Sequence, residues 1–176
     1  LDANATFEDS ILNAVRSSDV FIFHSTSVLN LTNCTFNKSE SYLEGGSYDP
    51  LLNVLYYLDG QVNDSEGNWL TGATVLGYDT DNNQAFSTTT TDGVFPQQTL
   101  LEYQQTAAGY DYRTNYTINA SYSTRQNDSE EVNLTTNKNI TLTIENRAPA
   151  VSSVLLNATT IYNLTYDNLT ANPIGA

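Results

Sequence analysis

The chain has 176 residues and a formal charge of −14, from 20 acidic side chains against two Lys and four Arg. Nothing in it would neutralise phosphates, which excludes a nucleic-acid partner and disfavours an anionic membrane surface. The length allows one or two domains with a real core, and no apolar run approaches the roughly 20 residues that span a bilayer.

Neither a Met nor a signal-like stretch opens the sequence, as expected of a chain processed at its start or cut from something longer. Twelve Tyr, six Phe and one Trp supply much of the apolar bulk. Tyr suits a pleated surface because it buries a ring and keeps a hydroxyl for a polar partner. No long segment shows apolar spacing of three and four, so the expected fold is all-β.

In residues 1–19, Phe7, Ile11, Leu12 and Val15 fit a short helix, an irregular lead-in or a strand. Residues 20–23 and 28–31 are short apolar runs separated by small polar residues, with Asn33 and Cys34 close behind. This pattern resembles the rungs of right-handed parallel β-helix proteins, whose short strands stack coil upon coil. One or two rungs fall short of the three a solenoid needs, so residues 1–50 form either a hairpin, the simpler choice for an isolated chain, or the end of a β-helix. Cys34 has no intramolecular partner and is either a small buried hydrophobe or a thiol linking neighbouring chains. The single His24 is expected to be structural, and one Cys with one His provides no zinc site.

Gly45-Gly46 and Asp49-Pro50 end this segment. A new unit, residues 51–146, opens with a long strand over 51–62 and a polar loop over 63–68. Further strands are expected over 73–78, 85–91, 100–104, 112–122, 131–135 and 139–145, the last two as a hairpin closed at 136–139. The 112–122 stretch shows the alternation best: Tyr112, Tyr116, Ile118, Ala120 and Tyr122 on one face, Arg113, Asn115, Thr117, Asn119 and Ser121 on the other.

The pattern Gly60-x-Val62-x-Asp64-x-x-Gly67-x-x-Leu70-x-Gly72-Ala73-x-Val75, followed by Thr91-Asp92-Gly93-x-Phe95, resembles the carboxypeptidase regulatory-like domain. That resemblance covers about residues 54–145 and implies a small Ig-like or prealbumin-type β-sandwich, in a family whose members are mostly non-catalytic spacers, adhesive modules or folding aids of surface proteins. The second motif departs from the usual family pattern, which has two residues between Asp and Gly, whereas Asp92 and Gly93 are adjacent here. On this resemblance Gly72-Ala73 is expected to let two strands approach closely. Together with the rung-like segment and the Ala148-Pro149 linker, the chain is similar to extracellular surface proteins of archaea.

Asp79, Asp81 and Asn83 have the first three ligand spacings of an EF-hand loop, but Gln84 and Thr90 stand where Gly and an acid are required. A hairpin turn rich in Asp and Asn is the plainer reading, with a Ca2+ site at Asp79, Asp81 and Asn83 as the weaker alternative, and no other resident cofactor is expected. The other carboxylates fall mostly in expected turns, where solvated acids normally sit, so no glycosidase pair is assigned.

The tripeptide Asn-x-Ser/Thr occurs 13 times, at Asn4, Asn30, Asn33, Asn37, Asn63, Asn115, Asn119, Asn127, Asn133, Asn139, Asn157, Asn163 and Asn168. Random placement of 21 Asn and 39 Ser or Thr would give about 5 such sites. The excess, and the way these sites fall on the polar sides of the strands, predict covalent N-glycans. Residues 147–176 read as a linker and an apolar C-terminal strand segment that must add to a sheet, its own or a neighbour's. The sequence therefore predicts a non-catalytic, extracellular, sugar-coated subunit whose partners are copies of itself and other surface proteins or glycans. In assembly it would form a filament, sheath or surface layer, and residues 1–19 or 151–171 are the candidates for strand exchange. The alternative is a carbohydrate-binding or spacer module of a larger secreted enzyme.

Overall fold

The computed structural model describes residues 4–13, 18–22, 26–45, 49–123 and 128–145, with the backbone of Val154–Ala158 and Leu169–Pro173. Its spine is the strand Leu51–Asp64, in which every second residue is buried along the whole length. Leu52, Val54, Leu58 and Val62 face the core while Asn53, Leu55, Gln61 and Asn63 stand half exposed on the other side. Burying each such aliphatic side chain contributes about 1.5–3 kcal/mol.

Numbered in chain order, the strands before this spine are β1 (Ala5–Glu8), β2 (Val20–Ile22), β3 (Val28–Thr32) and β4 (Ser41–Leu43), which makes the spine β5. After it come β6 (Thr74–Tyr78), β7 (Gln84–Thr89), β8 (Val94–Thr106), β9 (Gly109–Tyr112), β10 (Tyr116–Ser121), β11 (Asp128–Val132) and β12 (Lys138–Ile144). β8 lies antiparallel along one edge of β5. Two strands share the other edge end to end, both parallel to it: β3 against residues 51–55 and β12 against 58–64. β1 adds in parallel to β3, and β9 folds back on β8, completing a six-stranded sheet.

The two apolar runs expected to make a hairpin do not pair with each other. β2 pairs in parallel with β4, Ile11 bridges Thr35 in parallel, and β3 lies between β1 and β5. Successive strands repeat every 24 residues from Ala5 to Leu29, 23 from Val28 to Leu51 and 21 from Val20 to Ser41, which is a stack of short parallel coils. A hairpin would need the chain to reverse. Here it turns a corner at Asn33, in the left-handed conformation that Asn tolerates, and tucks Cys34 into the core. Residues 5–8, left open between helix and strand by their sequence, form a strand.

β5 also joins this coil to the sandwich. A second sheet, ordered β11-β10-β6-β7, contributes Val75, Ile118, Ala120 and Val132 to the same core cluster as Leu58, Val62, Phe95, Leu142 and Ile144. This is an all-β sandwich with flanking strands, as the alternation predicts. The expected hairpin of β11 and β12 is absent: β11 pairs with β10, and the chain then crosses to the other sheet, where β12 lies parallel to β5. The inward residues Val132, Leu134, Ile140, Leu142 and Ile144 are the ones expected, because alternation fixes a face and not a partner.

The motif glycine expected to allow a close approach does not provide it. Gly72 has open space where a Cβ would stand and adopts φ +83°, so it serves a turn and not a close approach. Gly60 is the residue that lets a strand close up, because a Cβ there would meet the Phe95 ring. Asp92 and Gly93 both have positive φ, and Thr91 and Val94 exchange both backbone hydrogen bonds around them, which is a two-residue hairpin turn of the type that matches strand twist.

The chain divides into two compact units, Leu1–Glu145 and Asn146–Ala176. No packing boundary falls at residue 50, since β3 and β5 share a sheet. In the second unit, β13 (Val154–Ala158) and β14 (Leu169–Pro173) form an antiparallel pair.

Candidate functional site

Nine of the sequon asparagines have described side chains, and none of the nine is buried. Asn30, Asn63 and Asn139 stand on the outer face of the six-stranded sheet, opposite the buried partners Leu31, Val62 and Ile140. Asn119 holds the same position on the four-stranded sheet, with Asn115 and Asn133 in the adjoining turns, and Asn4, Asn33 and Asn37 flank the coil strands. Several engage the protein through the side-chain carbonyl, which leaves the amide nitrogen that would carry a sugar. Asn30 Oδ1 accepts from Asn53 Nδ2 at 2.8 Å, Asn63 Oδ1 from the Thr143 hydroxyl at 2.9 Å, and Asn4 Oδ1 from the Val28 amide at 3.2 Å. Asn33 instead donates its Nδ2 to Asp9 at 2.7 Å. Asn127, Asn163 and Asn168 lie outside the described residues, as does His24, and Asn157 is described in its backbone alone, within β13.

The acidic turn after β6 is an Asp/Asn hairpin. Asp79 Oδ1 accepts the amides of Asp81 at 3.0 Å and Asn83 at 2.8 Å, closing the loop on itself. Arg113 then occupies the place a cation would take, reaching Asp79 at 3.3 Å, Asp81 at 2.6 Å and Asp111 at 2.5 Å. Burial pushes the Asp79 carboxyl up, but the hydrogen bonds from Asn83, Asp81 and Arg113 outweigh it and hold the group below its ordinary value. Among the described residues no cluster of three or more His, Cys, Asp or Glu has the arrangement of a metal site.

Arg113 also marks where the expected 112–122 strand breaks. Tyr116, Ile118 and Ala120 point into the core as predicted, and the Tyr116 hydroxyl donates to the Leu101 carbonyl at 2.8 Å while burial pushes its pKa up to about 12. Tyr112, however, ends β9 in the other sheet and is exposed. The break follows from a bulge: Val54 pairs with Tyr103 and Leu55 with Leu101, so Glu102 is an extra residue, and its carbonyl accepts the amides of Arg113 at 2.9 Å and Thr114 at 3.3 Å.

The same bulge turns the Glu102 side chain inward, where it is almost fully buried and bonded to Lys38 Nζ at 2.5 Å. Lys38 lies in a single 3-10 turn, Lys38–Glu40, capped by Asn37, and its ammonium sits 5.0 Å above the Tyr56 ring. Desolvation raises the Glu102 carboxyl, Lys38 opposing it. For Lys38 desolvation is the largest single influence and acts downward, yet its bonds to Glu102 and Tyr56 together keep it above the usual lysine value.

Beside this pair opens a cleft of about 290 Å³ lined by Lys38, Ser39, Glu102, Tyr103, Tyr110 and Tyr112. Tyr103 is buried, and its hydroxyl meets no hydrogen-bond partner among the described residues. Tyr110 and Tyr112 stand about half exposed, their rings 5.9 Å apart and within 20° of parallel, and both lean on Tyr103 at 5.4 and 5.5 Å. Sequence reasoning missed this cleft. It depends on the bulge at Glu102, which falls inside the segment 100–104 expected as a plain strand.

No protein-family model matches the chain, and no curated protein is significantly similar to it. Among solved structures it is similar to a DUF3823 family protein from Parabacteroides merdae, at 17% identity and a TM-score of 0.37 over 60% of this chain and 52% of that one. The chain thus matches about half the length of that protein.

Proposed function

We propose that the chain is a non-catalytic structural or adhesive module of an extracellular surface glycoprotein, whose carboxypeptidase regulatory-like sandwich carries N-linked sugar on both outer faces. The reading rests on one observation: the nine sequon asparagines with described side chains all reach solvent, and the four that lie within strands, Asn30, Asn63, Asn119 and Asn139, alternate with core residues. Coverage of this kind would hold water, shield the backbone from proteases and block sheet edges from indiscriminate pairing. Assembly into a filament, sheath or surface layer, of the kind archaeal cells display, would then depend on the edges left bare. β1 is the leading one, since Ala5–Glu8 is exposed along its whole length and paired on one side.

Electron microscopy of native material, with intact mass measured on the same sample, tests this. Regular polymers of subunits heavier than the 19.4 kDa polypeptide by many sugars are expected. Loss of polymers on deleting residues 1–19 or 151–171 would identify the exchanging segment. Monodisperse subunits at the bare polypeptide mass would sink the proposal. The second reading, a carbohydrate-binding module of a larger secreted enzyme, is favoured by one feature alone, the tyrosine-lined cleft.

A further inference from the structure

We propose that the cleft between the Lys38–Glu40 turn and β9 is a seat for one pyranose ring, with Tyr110 and Tyr112 taking its apolar C–H face and Lys38, Glu102 and Ser39 its hydroxyls. The argument begins with β9. A four-residue edge strand that leaves two large rings half in water exposes apolar area where edge strands are normally charged or covered. Tyr103 beneath fixes both rings, so they lose little further freedom on binding. The volume of about 290 Å³ is the scale of a single sugar with some water, at the lower end of small-molecule sites.

The wall chemistry selects among ligands. An anion is disfavoured because the Lys38 charge is already matched by Glu102 and the chain carries −14 overall. A purely apolar ligand would strip water from Lys38 and Glu102 and give nothing back. A neutral sugar presents C–H groups to the rings and hydroxyls that both donate to the carboxylate and accept from the ammonium. The Tyr103 hydroxyl, buried at the cleft floor without a hydrogen-bond partner among the described residues, adds a polar group within a small rearrangement of the same space.

The sugar has two possible sources, both with this chemistry. Lys38 and Ser39 are the second and third residues of the Asn37 sequon, and both line the cleft, so a glycan on Asn37 would start beside it. Asn37 uses Oδ1 to accept from the Ser39 amide at 3.2 Å and hydroxyl at 2.7 Å, which leaves Nδ2 for the linkage. The other source is a glycan of a second molecule. The first source rests on the glycosylation proposed above, and the second does not.

The test starts with unglycosylated whole chain, made in a host without N-glycosylation, titrated with glucose, galactose, mannose and N-acetylglucosamine and followed by saturation-transfer NMR. At least one sugar is expected to bind with millimolar affinity, and a Tyr110→Ala/Tyr112→Ala variant that keeps the wild-type circular dichroism is expected to bind at least tenfold more weakly. Absence of binding by all four sugars, or equal binding by the variant, overturns the proposal. Native glycosylated chain then separates the sources. If Asn37 supplies the ring, native chain refuses free sugar and Asn37→Gln restores binding. If another molecule supplies it, native chain binds free sugar as the bare chain does. A native chain found to carry no glycan would sink the glycosylated-surface reading while leaving the cleft to be judged by the first titration.

Discussion

The two ends of β5 are written in the same alternating code but are closed differently. At residues 58–64 the strand is flanked by β12 and β8 and belongs to the core shared with the second sheet, so Val62, Leu142 and Ile144 are completely buried. At residues 51–55 it is flanked by β3 and β8, and among the described strands only β1 lies beyond β3. Phe7, Leu31 and Val54 are register partners in one inward column there, yet Leu31 and Val54 are 0% and 1% exposed while Phe7 is 44% exposed. Pattern assigns a side chain to a face. Whether that face is dry depends on what stands beyond the last strand.

Matched core truncations break the comparison hardest. Leu142→Ala in the sandwich and Leu31→Ala in the coil each remove a fully buried leucine and should each cost about 2–5 kcal/mol. Because β5 runs unbroken through both regions, both variants should lower a single urea transition. A separate early transition for Leu31→Ala, with the main one unmoved, would show that the coil folds independently. Phe7→Ala gives the sharper, smaller contrast within one column. With nearly half of its surface already in water, it should cost about 1 kcal/mol or less, and a loss as large as that of Leu31→Ala would mean that something covers β1 in solution.

The smallest effect separates the regions by pH. Burial raises Glu102 despite Lys38, so its contribution is complete below the ordinary carboxyl value of 4.5 and is lost as pH rises through the folded value. Asp79 runs the other way: although burial pushes it up, its hydrogen bonds win, so its contribution is present above 3.8 and is lost as pH falls through the lowered value. Urea unfolding of Glu102→Gln and Asp79→Asn between about pH 3 and 7 should flatten the stability curve on opposite sides. Curves parallel to wild type for both would contradict these assignments.

How much of this was legible follows from what alternation encodes. β5 and the segment 116–120 could be read almost residue by residue, because a period of two depends only on which face is dry. The parallel coil was legible only as one of two alternatives, through its rung-like runs, and the parallel β12 was not legible, because pairing partner and direction are set by distant chain. The cleft stayed hidden for a related reason. It needs a bulge at Glu102, a lysine 64 residues earlier and a strand that ends at Tyr112 instead of continuing, three facts that meet only in the folded molecule. The sequons were plain in the sequence, and so was their outward placement on alternating strands, which the nine with described side chains follow in that none is buried.

The parallel order of β1, β3, β5 and β12 bears on how the unit would carry load. All four strands point the same way, so tension applied between residue 5 and residue 144 pulls β1 backward and β12 forward along their own axes. Each junction is then sheared like a lap joint, with its hydrogen bonds strained together, whereas an antiparallel hairpin pulled at its open end would peel one bond at a time. A tether attached at these two positions in a force-spectroscopy experiment should rupture at higher force than one attached at the ends of β8 and β9, and the reverse order would show that some other contact bears the strain.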